Sequence, residues 1–408
     1  MKLKINFNND KIISLAIMSS FFVLTFQYLI LTYFDIFNTI LESQIQLTSK
    51  IIVGIFYLVA LPFVLKRNKL FFLSIYLFST FIFLLTYFVF PENTHYLRNN
   101  LFSHFFIALP SFIYAFSLND FSAFIEIMKK VGIGVFIIGT IIAMFVFVGQ
   151  TSIGIYSMSL SYYMLLPLLV YTAKLFNKFS IFDFLIVLIS IIIILAIGSR
   201  GAILCYLVFL FYRLIFIKEK ISQRRVLQYL TGFFIGAISL LFYREIIEYI
   251  YNLLLNLDIK SRTLNLFLQN GIYLSGREEL YSTIINQLSK HPFIGLGLFG
   301  DRRFIGAYVH NIFLELWAHF GLIIGSIIIS LILFVVYKIL IANKNKEIAN
   351  LMSIWFSLGF VHLLVSGSYI IDFKFFIFLG LSLNIIKTKN CKMKNLVEKN
   401  KNSRFYEQ

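Results

Sequence analysis

Apolar runs recur along the whole chain, each followed by a short polar break. Runs of roughly 17–25 residues are long enough to cross ~30 Å of hydrocarbon. No water is present there to satisfy the backbone, so such runs must be helical. The pattern predicts spans near 12–33, 51–65, 70–90, 101–118, 131–149, 153–173, 181–197, 202–217, 226–243, 311–337, 349–366 and 370–386. The expected fold is therefore all-α: a polytopic integral membrane protein with about twelve transmembrane helices. The expected divisions are a membrane part over 1–243, a long loop over 244–310, further spans over 311–386 and a basic tail over 387–408.

The long loop breaks the rhythm, and loops of that length usually carry function. Residues 244–257 place Ile246, Ile247, Ile250, Leu253, Leu254 and Leu257 at helical spacing. This is the pattern of an amphipathic helix lying on a membrane surface. A second helix is expected over 276–290, with Leu280, Ile284, Ile285 and Leu288 on one face. Ser275 and Glu278 fit a capping box at its start, and Pro292 ends it. A glycine-rich stretch, Gly295 to Gly306, leads back to the next span.

Composition sharpens this picture. The 408 residues are 59% hydrophobic and 13% charged, against ~25% charged in soluble proteins. Mean hydropathy is +0.86. The net charge of +17 does not mark a nucleic-acid groove, because most of the lysines and arginines sit in alternate short loops. That is the signature of membrane orientation. It puts both termini in the cytoplasm and the 244–310 loop outside, leaving only Lys50, Arg98, Arg200 and Lys374 in short outer loops. Cys205 falls in a span and Cys391 in the tail, so no disulfide framework is implied. No small-residue cleavage site follows the first apolar run, so a retained first span is expected. The tail after Lys387 is polar and basic, the composition of a disordered segment.

Candidate chemistry concentrates on the outer side. Arg200 lies in Gly198-Ser199-Arg200-Gly201, at the tip of a tight hairpin between two apolar runs; an arginine beside hydrocarbon is costly and usually functional. The alternative is an interfacial arginine on lipid phosphate. Arg277 is expected in the first turn of the 276–290 helix, where free N–H groups and partial positive charge favour anions. Glu278 and Glu279 follow it directly and oppose that role. His310 precedes Asn311 where the chain re-enters the membrane, and suits a base that activates a hydroxyl. The plainer reading makes it a helix cap. Glu315 and His319 share one face of the following span, either as functional groups or as a buried pair locking the helix to its neighbours. His362, Asp372 and Lys374 are weaker candidates of the same kind. Asp301, Arg302 and Arg303 add charge to the loop, and at least one of the two arginines is expected to be simply solvated. Gly295-Leu296-Gly297-Leu298-Phe299-Gly300 matches a dinucleotide-binding pattern, but the βαβ setting that motif requires is absent, so a backbone turn is expected. No metal-binding motif stands out.

Taken in order, these residues resemble the bacterial O-antigen polymerase and O-antigen ligase family. The resemblance rests on Ser199-Arg200-Gly201 between two short spans and Ser275-Gly276-Arg277 in the long loop. His291-Pro292-Phe293-Ile294-Gly295-Leu296-Gly297 comes next, then His310-Asn311 with Leu314, and Gly321 in the next span. It covers about 180–335; the first half matches only in hydropathy. The resemblance implies a multi-pass protein of the bacterial inner membrane whose long loop is periplasmic. It implies an enzyme that moves a glycan from undecaprenyl diphosphate to an acceptor hydroxyl, without nucleotide sugar, metal or cofactor. Arg200 and Arg277 would then neutralise the departing diphosphate, and His310 would be the general base or position the acceptor. Arg302, Arg303 and Glu315 would contact substrate. Expected partners are the lipid-linked oligosaccharide, membrane lipids and, as the resemblance allows, a chain-length regulator protein; nucleic acid is not among them. Polymerase is the first reading and ligase, with lipid A core as acceptor, the second. A lipid-linked-oligosaccharide flippase is the alternative of another class. Transporters favour repeats and charges near the midplane, whereas these charges gather at the outer interface.

Overall fold

The computed structural model describes residues 9–147, 158–197, 199–216, 243–256, 262–268, 276–342 and 345–388. These residues are almost wholly helical and include no strand. Among them, six helices are long and apolar enough to cross a membrane. The expected span 226–243 apart from Tyr243, Cys391 and most of the basic tail lie outside the described residues, as does Ser275 of the expected capping box.

The first helices are α1 (Asn9–Tyr33) and α2 (Ile40–Val89). Two expected spans, 51–65 and 70–90, lie in α2. The polar stretch Lys66-Arg67-Asn68-Lys69 parts them by a backbone break at Asn68 (φ −144°, ψ 45°) where a loop was expected. At 50 residues, α2 has length for two crossings. The expected span 101–118 corresponds to α3 (Thr94–Ser103) and α4 (Leu109–Phe116), joined by a π-turn over His104–Ala108. Next come α5 (Phe121–Phe147), α6 (Met158–Asn177), α7 (Ile181–Ile197) and α8 (Arg200–Phe216). The long loop contributes α9 (Tyr243–Leu255), α10 (Arg262–Leu268), α11 (Arg277–Lys290) and the short α12 (Gly300–Ile305). Then follow α13 (Ile312–Ala342), α14 (Lys346–Trp355), a π-helical stretch Phe356–Val361, α15 (His362–Val365) and a last helix, α16, over 373–388.

The chain divides into two compact units. Unit 1 is Met1–Ser20, Ile52–Ile127 and Glu279–Gln408; unit 2 is Phe21–Ile51 and Met128–Glu278.

Unit 1 has two polar ends, separated by the second half of α2, ~30 Å of helix. At one end Arg67 forks onto Asp10, with Nη1–Oδ1 at 2.6 Å and Nη2–Oδ2 at 3.0 Å, and Nη1 also reaches the Ser117 carbonyl at 2.9 Å. The Asn119 N–H adds a bond to Asp10, and Asn384 binds the Leu118 carbonyl. At the other end the loop that enters α13 is sunk into the bundle. Phe83, Leu97, Leu298, Phe299 and Ile370 form one buried cluster there. Ile284, Leu296, Val309, Leu314 and Ala318 form a second. His104 ties α3 to the loop before α16, its Nδ1–H donating to the Ile370 carbonyl at 2.7 Å.

In unit 2, α6 and α7 form a hairpin closed by Lys174–Asp183 at 2.8 Å. Arg213, in the last turn of α8, stacks over Phe176 at 4.4 Å, at that same end. At the opposite end Ser161 and Ser199 lie 3.3 Å apart. In α9 Leu254 is buried while Ile246, Tyr249 and Leu253 are exposed.

Candidate functional site

The segment from His291 to Asn311 acquires its shape from close backbone approaches. Helix α11 stops at Lys290 before His291-Pro292. Along α11 Ile284 and Leu288 are buried, while Ile285, expected on the same face, is exposed. The glycine-rich turn then packs on α13 where that helix breaks at Gly321 (φ +75°). The Leu296 N–H donates to the Ala318 carbonyl and the Leu322 N–H to the Pro292 carbonyl, both at 2.7 Å. A Cβ at Gly295 (φ +74°) would lie 2.5 Å from the Gly321 nitrogen, so only glycine permits this approach. The dinucleotide-like pattern is thus a packing turn. Asn93 clamps it, its Nδ2 donating to the carbonyls of Leu296 and Leu298.

Two non-glycine residues bracket the next piece in left-handed backbone: Phe299 (φ +61°) and His310 (φ +60°). Such strain persists only where the surroundings fix it, and it gathers at functional sites. Between them α12 carries Asp301, Arg302 and Arg303. Asp301 is fully buried, and its Oδ1 lies 3.0 Å from His319 Nε2. The Phe299 N–H approaches the same nitrogen at 3.2 Å. The Tyr369 hydroxyl lies 3.0 Å from the other ring nitrogen, Nδ1.

Arg302 is buried at 8% exposure, with its guanidinium 4.3 Å above the Phe299 ring. Its Nη2 donates to Ser368 Oγ at 3.2 Å. The Ser368 hydroxyl in turn donates to Glu315 Oε1, and the Tyr369 N–H donates to Oε2 at 3.1 Å. Burial pulls the Arg302 guanidinium below its ordinary value, and the nearby Asp301 and Glu315 oppose that shift. Burial pushes the Tyr308 hydroxyl up, and Tyr369 rises well above the usual phenol range. Both tyrosines therefore stay protonated donors at neutral pH.

Asp301, Glu315 and His319 offer atoms within 4.8 Å of one another, a donor set that could hold a metal ion. Asp301 Oδ2 is buried with no hydrogen-bond partner among the described residues, which favours that use. Against it, hydrogen bonds already engage both Glu315 oxygens and both His319 nitrogens, and the Arg302 cation stands beside them. No hydrogen bond joins Glu315 to His319; Glu315 ties α13 to Ser368 and Tyr369, and His319 ties it to Asp301 and the same Tyr369.

His310 packs against Tyr308, with ring centres 4.2 Å apart and the planes tilted by 52°. It is not the helix cap: Asn311 Oδ1 accepts from the N–H groups of Phe313 and Leu314. Arg303 is half-exposed and pairs with Glu92 at 2.8 Å. His362 and Lys374 both approach Asp372 Oδ2, at 3.2 and 3.3 Å. Asp372 also caps α16 through the N–H groups of Lys374 and Phe375. These residues, with Arg302 and Glu315, belong to unit 1.

Arg200 and Arg277 belong to unit 2. Each is the first residue of its helix, α8 and α11, and each is half-buried. Reading the sequence missed Asn93, Ser368, Tyr308 and Tyr369. A small-residue run, Ser366-Gly367-Ser368, between two apolar spans was the one signal available.

No curated protein matches the chain. Residues 185–329, which contain Arg200, Arg277, Arg302, Arg303, His310 and Glu315, match the family model described as O-Antigen ligase, and this match supports membership of the O-antigen polymerase and ligase family.

Proposed function

We propose that the protein is a surface-polysaccharide polymerase. It transfers a glycan from undecaprenyl diphosphate to a sugar hydroxyl of a second lipid-linked repeat unit. The observation that carries this reading is that the family match encloses all six candidate residues. In this reading the chain has twelve spans in the bacterial inner membrane, with both termini cytoplasmic and residues 244–310 periplasmic. No metal or cofactor takes part, and a chain-length regulator is its protein partner.

Arg200 and Arg277 hold the donor diphosphate. Both open helices of more than twelve residues, where the helix dipole adds partial positive charge. A guanidinium fork fits phosphate oxygens. When the sugar–oxygen bond breaks, the diphosphate gains negative charge, and cations already in place stabilise that change best. His310 takes the proton of the attacking hydroxyl as the new glycosidic bond forms. Attack from the face opposite the leaving group inverts the sugar carbon.

The description of the matched family favours a second reading, ligation to lipid A core. Deleting the gene separates the two. A polymerase mutant makes lipopolysaccharide bearing a single repeat; a ligase mutant keeps long chains on the lipid carrier and leaves bare core. Arg200→Ala and Arg277→Ala should each abolish long chains at normal protein level. Wild-type ladders from both variants would remove the diphosphate clamp from consideration.

A further inference from the structure

We propose that Arg302 contacts the hydroxyl-bearing sugar, not the diphosphate, and that Glu315 and Ser368 are positioning residues that hold it for that purpose. The inference rests on the glycan-transfer reading for the identity of the sugar.

A guanidinium has five N–H donors. Among the described residues the Arg302 guanidinium makes one hydrogen bond, to Ser368. The residue is 8% exposed. A buried cation with unspent donors is poised for a ligand oxygen. Its direction is fixed from two sides. Phe299 lies under its plane, and Ser368 bridges it to the Glu315 carboxylate, itself held by the Tyr369 N–H.

The surrounding charge selects the ligand. The acidic groups acting on Arg302 are Asp301 and Glu315, so its positive charge is already opposed from within the protein. A diphosphate would find little net positive charge there to hold it. A sugar hydroxyl carries no charge, and its oxygen can accept from the guanidinium while its proton finds another acceptor. The rings of Phe299, Tyr308 and Tyr369 add apolar surface beside it. The Tyr308 hydroxyl is held against Ser366 and Gly367. Glu315 is fully buried, so it acts through Ser368 and Arg302 and does not touch substrate.

The test uses the full-length protein in lipid nanodiscs with two probes. One is the repeat-unit oligosaccharide released from the host's surface polysaccharide, free of lipid. The other is undecaprenyl diphosphate, free of sugar. Arg302→Gln should weaken oligosaccharide binding about tenfold or more, as loss of a charged hydrogen bond does, and leave undecaprenyl diphosphate binding within about twofold. Ser368→Ala, a smaller change at the same relay, should raise the acceptor KM and spare kcat per folded molecule. The inference is overturned if wild-type protein does not bind the oligosaccharide, if Arg302→Gln binds it normally, or if that variant loses undecaprenyl diphosphate instead. Wild-type protein that binds the oligosaccharide but not undecaprenyl diphosphate would support the sugar site and refute the donor proposed above.

Discussion

The two ends of unit 1 each set an arginine against acidic side chains, and they use it in opposite ways. At the first end the Arg67 fork is filled by both oxygens of Asp10, and a carbonyl takes a further bond. Planar bidentate pairing of this kind fixes geometry and leaves little for a ligand. At the second end Arg302 reaches its carboxylate only through a hydroxyl, Ser368, and keeps donors unspent. A closed pair holds helices together, whereas an open one holds a donor ready. The same residue type therefore means structure at one end and recognition at the other, and the difference lies in how many donors the protein itself consumes.

Breaking the closed pair should have the largest effect. Asp10→Ala strands a largely buried guanidinium, and removing one partner of a buried pair costs about 3–5 kcal/mol. The expected result is a sharp fall in folded protein in a detergent melting assay, with activity per folded molecule retained. A normal melting curve would show that the Arg67 end is not the structural one. Ser368→Ala should come next: acceptor affinity per folded molecule falls by about tenfold, a loss of ~1.4 kcal/mol typical of one hydrogen bond in a charged relay. Unchanged acceptor affinity would mean the relay does not aim Arg302. The smallest effect belongs to Arg303→Gln. Arg303 pairs with Glu92 where both side chains are more than 40% exposed, and such pairs contribute little. Chain length and binding should shift by no more than about threefold; a loss as deep as that of Arg302→Gln would erase the contrast between the neighbours.

Much of the helical layout was legible because apolar length is a strong signal. The run 181–197 reappears as α7, and the histidine–proline step that ends α11 lies where the sequence put it. The long α2 was not legible, because a four-residue polar stretch reads as a loop, yet only Asn68 leaves helical geometry. The candidate site was legible one residue at a time. Glu315 and His319 could be chosen as polar groups inside a span, and Arg302 only as added charge in the long loop. Their partners could not, since Ser368 bonds across 53 residues to Glu315 and Asn93 across 203 to Leu296. A lone serine or asparagine carries no periodicity that announces such a contact. His310 shows the limit from the other side: its neighbour Asn311 does the capping, and nothing in the dipeptide says which residue will.

The central claim, transfer from a lipid diphosphate with Arg200 as clamp, is tested most directly by reconstituting the purified protein with its lipid-linked repeat unit and following glycan length and released undecaprenyl diphosphate together. The account requires longer chains and free carrier to form in step in the wild type, and both to fall about a hundredfold or more in Arg200→Ala, the scale of losing one preorganised charge-stabilising group. Chains that lengthen at the wild-type rate in that variant, or lengthen with no carrier released, would contradict it.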